Sequence, residues 1–269
     1  MKLKIFLPIG LLLFAFACSS DDSNSGDDGG QNQNGILIKQ INYNSADEDG
    51  TFVETFDYDG NKLISIVDSE VGFDDDYKST FIYTNDKLVR VNNFEEEELM
   101  EYVTLEYNVE GLLLNFTTFI FDIDGENTAI KNIISYENGN SNFSLERFRG
   151  DFTSQTEPSG TTNYIVQNGN ISNVSYDGSN DTLSFLYDSK NSIYKNITDI
   201  ELIALIFDNT EYGFDIYGIN NNVTQLTDDQ GVFVSVERTE YTYNTNDYPS
   251  TAMYYYDDEL DSNIEFIYE

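Results

Sequence analysis

From Ile36 onward, apolar and polar positions alternate with a period of two. In the run Phe52 to Tyr58 (FVETFDY), Phe52, Phe56 and Tyr58 fall on one face and Val53, Thr55 and Asp57 on the other, the pattern of a half-buried strand. Asp59-Gly60, Asp124-Gly125, Asn138-Gly139, Asn168-Gly169 and Asp177-Gly178 punctuate such runs. Each pair tolerates the positive φ of a tight hairpin turn. Only three prolines occur in the whole chain.

The alternation carries a longer repeat. FDYDGNKLISI (Phe56 to Ile66), FIYTNDKLVRV (Phe81 to Val91), LEYNVEGLLLNF (Leu105 to Phe116), ISYENGNSNFSL (Ile134 to Leu145), FLYDSKNSIYKNI (Phe185 to Ile197) and YTYNTNDYPSTA (Tyr241 to Ala252) share one layout. An apolar residue stands two positions before a tyrosine, then comes a polar turn and a second apolar stretch. Tyr58, Tyr83 and Tyr107 are spaced by 25 and 24 residues, the length of two strands and two turns. A hairpin cannot bury an aromatic face alone, so neighbours must extend one continuous sheet. The pattern predicts a single all-β domain over 36–269, an antiparallel meander of hairpin repeats forming a curved open sheet or half-closed barrel.

One segment departs from period two. Thr198-Asp-Ile-Glu201 matches a capping box, and Ile200, Ile203, Ala204 and Phe207 follow at helical spacing. This predicts a short helix over 199–207, placed to plug one end of the sheet. The Asn, Gly and Asp-rich stretch from Asn209 to Gly231 reads as irregular loop, and no Pro-rich or charge-block linker marks a second domain.

The N-terminus has its own chemistry. Met-Lys-Leu-Lys precedes a short apolar run, Ile5 to Ala17, which ends at the only cysteine, Cys18. The run is too short to span a bilayer and reads as a secretory signal peptide over 1–17. Ala15-Phe-Ala-Cys18 resembles the lipobox of bacterial lipoproteins. The resemblance implies cleavage before Cys18, a diacylated thiol and an acylated amino group, and several acyl chains hold a protein on a membrane durably. Ser19 to Gly35 contains no apolar residue and reads as a disordered tether of roughly 20–25 Å. Its start, Ser19-Ser20-Asp21-Asp22, is similar to the export signal of Bacteroidota lipoproteins, which implies the outer face of the outer membrane. A solvated linker facing the periplasm is the alternative.

Composition then narrows the chemistry. The formal net charge is −36, and removing the leader takes away Lys2 and Lys4 but no acid. Such a surface repels nucleic acid and anionic headgroups. With histidine absent, the usual base for a serine or cysteine nucleophile is missing, and so is the commonest nitrogen ligand for zinc. No phosphate loop or dinucleotide fingerprint is present, and no lysine sits in a Ser-x-x-Lys spacing accompanied by the companion motifs that would give it meaning. Paired carboxylates for glycoside hydrolysis are the one catalytic option. Asp74-Asp75-Asp76, Glu95 to Glu98, Asp122 to Asn127 and Asp257-Asp258-Glu259 offer oxygen ligands for calcium. None has EF-hand spacing, and turn tips or solvated strand faces explain them as well. Tyr254-Tyr255-Tyr256 presents rings that stack on sugars or fill a core.

The repeats resemble the tyrosine-aspartate repeats of bacterial surface proteins in their Tyr-x-x-x-Gly/Asn-x-Leu rhythm. Tyr187 to Ile197 and Tyr241 to Ser250 look like segments of a Bacteroidota lipoprotein family with a porin-like domain of unknown function, with Ser192-Ile193-Tyr194 where that family has Asn-Pro-Phe. The resemblance implies a fold and an envelope address, and no activity. A membrane-spanning barrel is disfavoured, because most apolar runs are shorter than 9–11 residues and the face opposite the aromatics carries Asp57 and Glu106. The expectation is therefore an outer-membrane lipoprotein anchored through Cys18. Its barrel would be a non-enzymatic binding or structural module that needs no cofactor, with loose calcium association left open. The expected partners are the membrane and a glycan or envelope protein, with no nucleic acid. A carboxylate-based glycan hydrolase on the same scaffold is the alternative.

Overall fold

The computed structural model describes residues 35–46, 51–72, 76–121, 125–137, 142–208 and 218–269. Residues 1–34, on which the expected signal peptide, Cys18 and most of the expected tether fall, lie outside them. Among the described residues there are sixteen strands and one helix. The first eight strands are β1 (Ile38–Ser45), β2 (Thr51–Asp59), β3 (Lys62–Glu70), β4 (Asp76–Thr84), β5 (Lys87–Glu95), β6 (Glu98–Tyr107), β7 (Leu113–Ile120) and β8 (Thr128–Glu137). Then follow β9 (Asn142–Gly150), β10 (Gln155–Gln167), β11 (Asn170–Tyr176), β12 (Thr182–Tyr187), the helix α1 (Ile200–Asp208), β13 (Val223–Asp229), β14 (Val234–Tyr243), β15 (Pro249–Tyr256) and β16 (Glu259–Tyr268). Each strand pairs antiparallel with the next, and β16 returns to β1, with Ile38 opposite Tyr268 and Ser45 opposite Ser262. The meander is thus a closed barrel, which leaves no sheet edge to aggregate.

Several turns use residues that the dipeptide reading passed over. Asn85 and Asp86, Glu96 and Glu97, and Asp257 and Asp258 all have positive φ, as a two-residue hairpin turn of type I′ demands. Two of the acid runs considered for calcium are therefore hairpin turns.

The tyrosine repeat has a structural cause. The register slips by one residue between Asp57 and Tyr58, Ile82 and Tyr83, Glu106 and Tyr107, Leu186 and Tyr187, and Thr242 and Tyr243. A bulge disrupts the ladder locally, and buried backbone groups there need another partner. At several bulges a tyrosine of the neighbouring strand supplies it, whereas the buried Tyr83 hydroxyl makes no such bond. Tyr58, Tyr107, Tyr187, Tyr241 and Tyr268 donate their hydroxyls to the main-chain oxygens of Ile38, Leu88, Ile171, Val223 and Pro249 at 2.6–3.0 Å. Each acceptor sits on the neighbouring strand, directly before the extra residue of a bulge.

The core lies on the inner wall at this tyrosine end, where Phe56, Leu63, Ile66, Phe81, Leu88, Val91 and Phe116 are buried. The connection between β12 and β13 turns inward to fill the remaining space. Ile200, Ile203, Ala204, Leu205, Ile206 and Phe207 of α1 are all buried in the same core. Phe207 stacks on Phe81 at 6.0 Å, and Tyr194 lies 6.3 Å from Phe56. The helix begins one residue later than expected. Asp199 takes a left-handed conformation (φ 59°) and its main-chain oxygen accepts from the Leu202 and Ile203 N–H groups.

Side-chain amides strap this plug to the rim. Asn222 donates through N and Nδ2 to the Asp188 carboxylate, and Asn196 Nδ2 donates to the Ile36 main-chain oxygen and the Tyr248 hydroxyl. The stretch read as irregular loop contains a strand, β13, whose inward residues Val223 and Leu226 are three apart because Thr224 is the extra residue of a bulge. That bulge breaks the alternation.

Removing one hook hydroxyl leaves a main-chain oxygen without its partner, which costs about 1–3 kcal/mol. Tyr58→Phe and Tyr187→Phe should each lower the urea midpoint accordingly, whereas Tyr255→Phe, whose outward hydroxyl meets only the Met253 sulfur, should change it little.

Candidate functional site

Alternation decides what each end of the lumen displays. Towards the tyrosine end the inner wall is apolar and packed on α1. Towards the other end, the mouth, the same strands turn inward with polar and aromatic side chains. On β2 the inward series is Phe52, Glu54, Phe56 and Tyr58, and on β3 it continues through Ile66, Asp68 and Glu70, paired as Phe56 with Ile66, Glu54 with Asp68 and Phe52 with Glu70. Phe52, Tyr77, Tyr176 and Tyr256 face inward at the rim and keep 38–45% of their surface exposed, so water reaches this half of the lumen.

Below that collar, acids and phenols are matched across strands. Tyr43 donates to Glu54 at 3.1 Å, Tyr77 to Glu95 at 3.0 Å and Tyr254 to Glu237 at 2.7 Å. Asn93 donates to Glu101, and on the far wall Arg147 Nε donates to Asn132 Oδ1 at 3.4 Å. Burial raises the affinity of three of these carboxyls for a proton. Asp68 is pushed up to about 6, Glu54, with the charge of Asp68 added, to about 8, and Glu101 upward as well despite the amide donated by Asn93.

The residues singled out in the sequence separate here. The tyrosine triplet splits: Tyr254 and Tyr256 enter the mouth, while Tyr255 lies on the outer wall with the Arg238 guanidinium 4.1 Å from its ring centre. Glu95 belongs to the mouth, Glu96 and Glu97 to a turn. Asp74, Asp75 and Asp122 to Asp124 lie outside the described residues, as does Cys18. Among the described residues, no three acids converge to hold a metal ion. Glu54 and Asp68 were overlooked, although position 54 sits between Phe52 and Phe56 on the aromatic face and was readable by period two.

The outer wall carries polar and apolar positions. Its mid-height carries Asn42, Thr55, Thr80, Asn92, Thr104, Lys131, Asn163 and Asn263. Polar ladders join these positions, such as Asn42 to Glu265 at 2.9 Å, Asn92 to Thr80 at 3.2 Å and Asn115 to Glu106 at 2.9 Å. Strand length does not decide the matter, because β2 to β5 have nine residues each, enough to span when tilted. The wall is mixed in polarity: beside these ladders, Ile82, Ile133, Ile165, Leu186 and Ile267 point outward and keep 36–58% of their surface exposed, whereas a hydrocarbon-facing wall is apolar throughout. One outward aromatic group, Tyr102, Phe119, Phe121 and Phe152, packs upon itself, with Phe152 edge-on to Phe119 at 5.2 Å and Arg90 3.9 Å over Tyr102.

With this geometry in hand, known structures show a likeness. The barrel superposes on a porin-like protein from Bacteroides uniformis ATCC 8492 with a TM-score of 0.53 and 14% identity, covering 86% of this chain and 96% of that one. This likeness is one of fold. A porin-like protein from Bacteroides vulgatus ATCC 8482 also aligns, with a TM-score of 0.35 at 12% identity over 87% of this chain and 99% of that one. No protein-family model matches the sequence, and no curated protein does.

Burial raises the tyrosine-end phenols Tyr58, Tyr83, Tyr107, Tyr241 and Tyr268 above the ordinary tyrosine range. The unfolded chain therefore loses these protons first, and stability falls as pH rises through about 10. In an alkaline absorbance titration a fraction of the phenolate signal should appear only as the barrel unfolds, and a single reversible step for every tyrosine would contradict the hooks.

Proposed function

We propose that this chain is a lipoprotein of the outer membrane, anchored through acylated Cys18 and displayed at the cell surface, whose barrel binds a glycan in its mouth without chemically changing it. One observation carries the binding role: the barrel is plugged at the tyrosine end and open at the other, where exposed aromatic rings stand over carboxylates held by phenols. Tyrosine rings offer a sugar both an apolar face and a hydroxyl, and carboxylates accept hydrogen bonds from vicinal hydroxyls. The polar ladders at mid-height of the outer wall support a barrel surrounded by water rather than a channel through lipid. The anchor rests on the Ala-Phe-Ala-Cys segment, and the outward display on Ser-Ser-Asp-Asp. The likeness to a porin-like protein from Bacteroides agrees with an envelope setting.

A second reading has one observation in its favour. Glu54 and Asp68 face each other with raised proton affinity, as a carboxylate-based glycan hydrolase requires of its general acid. Both carboxyls stand on adjacent strands of one wall, however, and a hydrolase needs them to flank the scissile bond. Binding without turnover is the better reading.

The full-length, lipidated protein screened on a glycan panel should retain a ligand without releasing reducing ends. Tyr256→Ala should weaken retention about five- to tenfold, the equivalent of ~1 kcal/mol for one stacked ring. Release of reducing ends that Glu54→Gln abolishes would establish the hydrolase instead. Cys18→Ser should move the protein from the membrane to the soluble fraction, and protease added to intact cells should digest the wild-type barrel. A mature chain with an unmodified thiol would remove the anchor.

A further inference from the structure

We infer that Glu54 and Asp68 form a proton-operated latch inside the mouth: they hold one proton between them when the β2–β3 wall is closed, and losing it sets two carboxylates against each other and loosens that wall. The proposal stands apart from whatever the mouth binds.

The geometry comes from register. Glu54 and Asp68 are direct partners across β2 and β3, one inward step from the buried pair Phe56 and Ile66. Side chains so paired have Cβ atoms roughly 4.5–5.5 Å apart, where two like charges destabilise the strand pair. The surroundings do not relieve them. From β1 comes the Tyr43 hydroxyl, a donor to Glu54 at 3.1 Å. From β4 comes Tyr77, the register partner of Asp68, which donates to Glu95 of β5. Glu70 follows on β3 itself, and Phe52 follows on β2. Among the described residues, the inner walls of β1 to β5 bring no lysine or arginine to this level. Every ionisable neighbour there is an acid or a phenol.

A proton shared by the pair is the arrangement consistent with that setting. Burial raises both carboxyls, and the charge of Asp68 raises Glu54 further. The sign follows from linkage. Unfolded, a glutamate has lost its proton by about pH 6, whereas folded Glu54 keeps it up to about 8. The folded state therefore binds the extra proton, and its advantage is complete on the acid side and is lost as pH rises through that window.

Urea unfolding of the full chain, followed by circular dichroism at pH 6, 7 and 8, tests the latch. The unfolding constant of the wild type should rise about tenfold per pH unit, hence about a hundredfold over the window. In Glu54→Gln the rise should fall below about threefold, and in Asp68→Asn the steep region should move to lower pH. Glu101 contributes equally to all three proteins, so the comparison cancels it. A wild-type rise below about threefold, or an undiminished rise in both variants, would overturn the proposal. Where a variant fails to fold, the wild type still decides through its carboxyl carbon resonances. At least one should titrate above pH 6 in the native chain, and completion of every carboxyl titration below that pH would refute the latch.

Discussion

Sixteen strands enclose more space than wall side chains can fill, and a barrel of that size otherwise holds water along its axis. The chain answers this constraint with its own connection between β12 and β13. Ile193, Tyr194 and Ile197, then one buried face after another of α1, occupy the tyrosine end and complete a core that the hairpins leave incomplete. The rest follows from that choice. Plugging one end allows the inner wall there to be apolar, and leaving the other end open requires the same strands to become polar and aromatic as they approach it.

The tyrosine hooks connect the repeat to the closure. A bulge lets a strand curve, which a closed barrel requires, but it disturbs the ladder and leaves main-chain groups in need of partners. Each of the five hook hydroxyls satisfies one such group in the preceding hairpin, and the last, Tyr268, ties β16 back towards β15. The ring of hydrogen bonds thus combines strand curvature with polar satisfaction at one level of the barrel.

Polarity distinguishes the mouth from the plugged end. Ladders of Asn, Thr, Asp and Glu cross the outer wall at mid-height, while exposed isoleucines and Leu186 also face outward. In the mouth, carboxylates that would repel one another are separated by phenols and amides, except at Glu54 and Asp68. There the repulsion is left to a proton, which makes that wall responsive to conditions that the apolar end ignores.

Period two, the hairpin dipeptides and the spacing of Tyr58, Tyr83 and Tyr107 were enough to read an all-β meander with one internal helix, because strand alternation and turn chemistry are local properties. The expected leader, the Cys18 anchor and the tether lie outside the described residues and rest on the sequence alone. Closure was not legible, since the pairing of β1 with β16 joins residues more than two hundred positions apart and leaves no local mark. The strand at Val223 was hidden by its bulge, and the tyrosine triplet could not reveal that Tyr254 and Tyr256 enter the mouth while Tyr255 faces outward. Which carboxylates meet was decided by register alone. A strand's own pattern states which residues share a face, but only the neighbouring strand determines what stands opposite them.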